Sequence, residues 1–270
     1  MPRFFISTAT TGLSIGVLTA LVLFYTNISA YAAATFGLNK AVVEVSVKQY
    51  QVHVGTIYAI NMSAKDMEAE IQLENWLKRE GYDNELSKIE PAAWLKFKPA
   101  EFELPAKSNK PINYIIEIPE GLEGELIAMA YFAPKIKASS VSLGRRIGIA
   151  VYASAKEKQQ VSCKINLIYI NKQKGYSFIQ LVVENTGNVH VRPEGTVEVL
   201  RAGKKVDSLA IEKGMPVYPG KTEVFSKKLN ELKPGKYTVQ AQMNYGEIYG
   251  LSKVCVSEPV IMEIEDAETD

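Results

Sequence analysis

The chain has 270 residues, with 31 Lys and Arg against 30 Asp and Glu and a formal net charge of +1. The charges of both signs are interspersed, which excludes the concentrated basic face that a nucleic-acid partner requires. The length accommodates two domains of ordinary size.

The first element is an export signal. After Arg3 no charged residue occurs before Lys40, and the run Leu13–Tyr25 is almost entirely apolar. Ala30-Tyr31-Ala32 follows, with small residues where a signal peptidase needs them. Residues 1–32 therefore read as a signal peptide, the mature chain starts near Ala33, and the destination is the periplasm. The alternative is an uncleaved anchor, since about 20 apolar residues span a bilayer. Any membrane association would then run through this N-terminus.

Beyond residue 40 the pattern has period 2. Val43, Val45 and Val47 alternate with Glu44, Ser46 and Lys48, as in a half-buried strand. Further strands are expected at 56–62, 69–76, 112–118, 126–132 and 146–152, the last with Ile147, Ile149 and Val151 on one face. Gly and Pro turns separate them. The polar stretch 155–160 reads as a linker between a domain at 33–154 and another at 161–262.

In the second half, strands are expected at 163–169, 176–184, 195–200, 205–211, 222–226, 236–245 and 252–256, with a hairpin-like connection at Arg201-Ala-Gly-Lys204. Short strands at this spacing, with no convincing amphipathic helix, predict an all-β chain of two tandem immunoglobulin-like β-sandwiches. Tyr237, after Pro234-Gly235, is a candidate tyrosine corner or a plain core aromatic. The acidic tail 263–270 reads as a disordered end.

The chemistry-bearing residues are few. Cys163 and Cys255 bracket the second domain and are expected to form a disulfide in an oxidising compartment, two reduced thiols being the alternative. Two histidines, His53 and His190, fall in different domains without metal-ligand spacing, and both read as surface residues. There is no CxxC, nucleophile elbow or phosphate loop, so the expectation is no enzyme, no metal and no cofactor.

Ala92-Ala-Trp-Leu-Lys-Phe-Lys-Pro-Ala-Glu-Phe-Glu-Leu104, the polar turn Lys107–Lys110, Ile112–Pro119 and Gly124–Phe132 together resemble the PapD-like superfamily over residues 36–154. Its best-known members are periplasmic pilus-assembly chaperones. The resemblance implies that the last strand of the first domain docks edge-on to an exported β-rich subunit, through Ile147, Ile149 and Val151. An ordinary core-facing strand is the competing reading of those three residues. The resemblance also implies two basic anchors, for which Lys48 and Arg146 are the candidates, although Gly148 occupies the place of the family's last-strand base. Val183–Pro193, Pro219-Gly220 and Leu232–Tyr237 resemble fibronectin type III-like and cell-adhesion-related domains of bacterial surface proteins. The expected partner is an exported pilin-like or surface protein. The alternative function is an envelope or surface binding module.

Overall fold

The computed structural model describes residues 36–135, 146–173 and 176–264. The expected signal peptide and the last six residues of the acidic tail lie outside them. Among the described residues no helix is long and apolar enough to cross a membrane.

The first sandwich is built from β1 (Phe36–Leu38), β2 (Val42–Val47), β3 (Val52–Asn61), β4 (Met67–Asn75), β5 (Leu95–Lys98), β6 (Glu101–Leu104), β7 (Asn109–Glu117), β8 (Glu125–Pro134) and β9 (Ile147–Ala155). One sheet has the order β1-β3-β7-β5 and the facing sheet β2-β9-β8-β4-β6. Between β4 and β5 there are also two single-turn helices, α1 (Trp76–Arg79) and α2 (Glu85–Lys88), capped by the side chains of Asn75 and Asn84.

The period-2 alternation does what the sequence predicts. Ile57, Ile112, Tyr114 and Ile116 from one sheet meet Leu126, Phe132, Ile149 and Val151 from the other, around Trp94. Each such aliphatic or aromatic side chain stabilises the fold by roughly 1.5–3 kcal/mol when fully buried. β1 and β2 are one strand that changes sheets, pairing first with β3 and then, in parallel, with β9. That switch decides which sheet edges stay open.

The second sandwich comprises β10 (Cys163–Gln173), β11 (Tyr176–Asn185), β12 (Glu194–Arg201), β13 (Lys204–Ile211), β14 (Thr222–Lys228), β15 (Gly235–Tyr245), β16 (Lys253–Val256) and β17 (Val260–Ile264). The sheets are β10-β11-β14 and β13-β12-β15-β16, with β17 also on β15. The β12–β13 hairpin turns through Ala202 and Gly203, both at positive φ, as a tight two-residue connection requires. β17 was not among the expected strands. It carries Glu263 and Ile264, which pair with Lys236 and Gly235, so these two residues are not part of a disordered tail. Ile264 explains the difference, since it packs against the core.

Residues 156–160 are polar but not free. Lys156–Lys158 form a 3₁₀ turn, and the Gln159 amide donates to Ser46 and Ser154. The Gln160 main chain exchanges hydrogen bonds with Asn188. Gly187 is required here by close approach rather than by positive φ, because a Cβ there would lie 2.1 Å from the Gln160 carbonyl oxygen.

Candidate functional site

The last strand of the first sandwich is not the bare docking edge that its alternation suggested. Ile149 and Val151 are fully buried in the core, and Ile147 packs against it. β9 is paired on both sides from Ala150 to Ser154, with β8 and with β2. Its opposite face is not bare either. The Tyr131 ring and the Met129 methyl lie over Gly148, and the Arg146 guanidinium stacks on Tyr131 at 3.8 Å. Arg79 donates to the hydroxyl of the same tyrosine.

The two basic candidates do not converge. Lys48 follows Val47, which faces Ala155, whereas Arg146 precedes the other end of β9. Nine residues of strand, about 30 Å at ~3.3 Å per residue, separate the two positions. One carboxylate cannot engage both.

An open edge does exist on the same side of this sandwich, in the other sheet. β1 covers β3 only from Ala59 to Asn61, and Asn39 extends the cover to Tyr58 through two hydrogen bonds. The main-chain groups of Tyr58 therefore point away from β7. By strand alternation so do those of Thr56, Val54 and Val52, for which the described residues supply no backbone partner on that side. The side chains of these residues all lie on the outer face. Val52 and Val54 are 54% and 61% exposed, and Tyr58 is 43% exposed. Tyr50 and Met62 continue the exposed apolar row at either end. Main-chain donors and acceptors without a partner among the described residues, beside protruding aliphatic side chains, make a template for another strand.

The junction between the sandwiches is the second unusual place. His190 is not a surface residue: it is fully buried, wedged between the two sandwiches. Its Nδ1 lies 2.7 Å from Glu125 Oε2 and its Nε2 3.2 Å from Glu44 Oε1. Arg192 Nε donates to the same Glu44 oxygen, and the Tyr249 hydroxyl lies 3.0 Å from Glu125 Oε1. The Tyr152 ring covers the imidazole at 4.1 Å. Burial alone would depress the His190 pKa, but the two carboxylates outweigh it and hold the imidazole above its ordinary value. Glu44 is held below the usual carboxylate range, chiefly by its hydrogen bond with His190. His53, by contrast, is half-buried, stacks on Tyr114, and is pushed down by burial and by Lys40.

Cys163 and Cys255 are brought together as two free thiols rather than as the expected disulfide, with Sγ atoms 3.0 Å apart. Cys255 lies on β16, not on the last strand, so the pair links the edges of the two sheets. The Cys163 thiol is pushed up and the Cys255 thiol down, because one donates to the other. The Tyr237 hydroxyl donates to the Lys233 carbonyl four residues back, the bond that defines a tyrosine corner. Among the described residues no cluster of three His, Cys, Asp or Glu side chains is arranged to hold a metal ion.

The strand order and the two facing sheets in each half define an all-β chain of two sandwiches. No family model matches the sequence, and no curated protein matches it. Solved structures with a similar course include the class 5 fimbriae chaperone CfaA, at 16% identity, covering 86% of this chain and 100% of that one, with a TM-score of 0.44. A YadV chaperone aligns at 12% identity over 85% and 100%, with a TM-score of 0.46. The Salmonella enterica SafA pilin–SafB chaperone complex aligns at 10% identity over 85% and 96%, with a TM-score of 0.44. The fold assignment rests on the strand order and registers rather than on these alignments.

Proposed function

We propose that this chain is a non-enzymatic, exported, chaperone-like protein that holds an extended segment of a β-rich exported partner by strand addition to β3. The observation that carries this reading is the open half-edge at Val52, Val54 and Thr56, with its row of exposed apolar side chains. Main-chain pairing would supply affinity, and pockets between Val52, Val54 and Tyr58 would select alternating apolar residues. An edge of this kind is a liability for self-association unless it has a use. A pilin-like or surface subunit, the partner implied by the sequence pattern, is a β-rich protein of the required kind. The periplasmic location rests on the N-terminal pattern alone.

Site-specific cross-linking in the exporting cell tests the proposal. A photoreactive side chain at position 54 should capture an exported protein, whereas the same group at Lys204, on the hairpin of the second sandwich, should not. Equal capture at both positions, or capture at 204 alone, would overturn the assignment of the edge.

A further inference from the structure

We infer that the junction of the two sandwiches is a proton-operated latch, closed while His190 carries a proton on both ring nitrogens and released when one leaves. The argument is geometric first. Each imidazole nitrogen faces a carboxylate, Glu125 from β8 on one side and Glu44 from β2 on the other. A neutral ring has one N–H and so can donate to only one of them; only the imidazolium donates to both.

The groups facing His190 come from every element packed on it. β2 supplies Glu44, β8 supplies Glu125, β9 supplies the Tyr152 ring, and the 3₁₀ turn Glu247–Tyr249 supplies the Tyr249 hydroxyl. Its own segment supplies Arg192, which also bonds Glu44. Behind Tyr152 stands Tyr218, hydroxyl to hydroxyl at 3.3 Å. Tyr152 and Tyr249 are both pushed far up by burial, so they remain neutral. The titratable charges are then two carboxylates against His190 and Arg192, which cancel. Loss of the imidazole proton leaves one uncompensated negative charge in a buried contact between domains, an unfavourable arrangement.

The pH window follows from the direction of the shift. A histidine whose folded pKa is raised contributes stability fully below its unfolded value, about 6.5, and loses it as pH rises through the folded value. The contact is therefore firm at mildly acid pH and loosens on the alkaline side. Two further polar fastenings, Tyr82 to the Pro219 carbonyl and Asn188 to residues 158–160, have no group titrating in this range and tether the domains in both states. The latch governs how the sandwiches are held, and it does not depend on the β3 edge being a docking site.

The test is nuclear magnetic resonance on the whole mature protein. The His190 ring nitrogens should report an imidazolium at pH 6, titrating with a midpoint above 6.5. Rotational correlation times of the two sandwiches, from backbone relaxation, should match at pH 6 and diverge above that midpoint. His190→Gln should abolish the pH dependence, and His53→Gln should leave it unchanged. Should His190→Gln not fold, the wild-type titration still decides. A ring that is neutral at pH 6, or joint tumbling unchanged from pH 6 to pH 9, would overturn the latch.

Discussion

Two half-edges lie on one side of the first sandwich, and they differ in what their side chains face. On β9, the residues beyond the cover of β2 send Ile147 and Ile149 inward, and Tyr131 and Met129 close the outer face. On β3, the residues beyond the cover of β1 send Val52 and Val54 outward, to solvent. Both strands read as alternating aliphatics. Alternation identifies a strand and its two faces, but not which face the core takes. The core of this domain is filled by the odd-numbered residues of both strands, Ile57 and Ala59 on one and Ile149 and Val151 on the other.

The largest expected effect comes from placing one carboxylate at each strand. Ile149→Asp buries an unpaired charge in a fully enclosed site, costs several kcal/mol and should abolish the cooperative thermal transition of the first sandwich. Val54→Asp should shift Tm by only a few degrees while partner capture is lost. Equal melts for the two variants would break the comparison.

Oxidation of Cys163 and Cys255 to a disulfide would sharpen the contrast between the sandwiches, since the first contains no cysteine. The chain-entropy model gives about 4–5 kcal/mol for closing a loop of this length, and measured bridges more often deliver about 2–4. Denaturant unfolding with and without reductant should show a stability loss confined to the second sandwich. Two titratable thiols in exported material would refute the bond.

Each half-edge also has a glycine under a tyrosine. A Cβ at Gly55 would lie 2.2 Å from the Tyr114 ring, which is fixed in the core, so Gly55→Ala should destabilise by about 1–3 kcal/mol. At Gly148 the nearest atom, at 2.7 Å, is the flexible end of Met129, and Gly148→Ala should cost under about 1 kcal/mol. Tyr237→Phe, which removes the bond to the Lys233 carbonyl, should cost about 1 kcal/mol in the second sandwich.

Much of this fold was legible in the sequence, and the failures have physical causes. The strands with the strongest period-2 pattern appear where expected because their alternation follows from burial on one face. β1, β5, β6 and β17 are short and reach stability only through their partners, so local pattern says little about them. The candidate edge was missed because the expected strand began at Thr56, leaving Val52-His53-Val54 outside it. His190 was misplaced for a different reason. Val189 and Val191 beside it are buried in their own sandwich, so alternation turns His190 outward, toward what reads as solvent. The first sandwich occupies that space, and no pattern within the segment encodes a contact made with residues 44 and 125.

Amide hydrogen exchange on the first sandwich, free and with a captured partner, tests the central claim most directly. In the free protein the amides of Val52, Val54 and Thr56 should exchange fast while those of His53, Gly55 and Ile57, which face β7, are protected. On capture, Val52, Val54 and Thr56 should gain protection. Unchanged exchange there, with new protection at Arg146–Ile149 instead, would contradict the assignment and return the docking edge to β9.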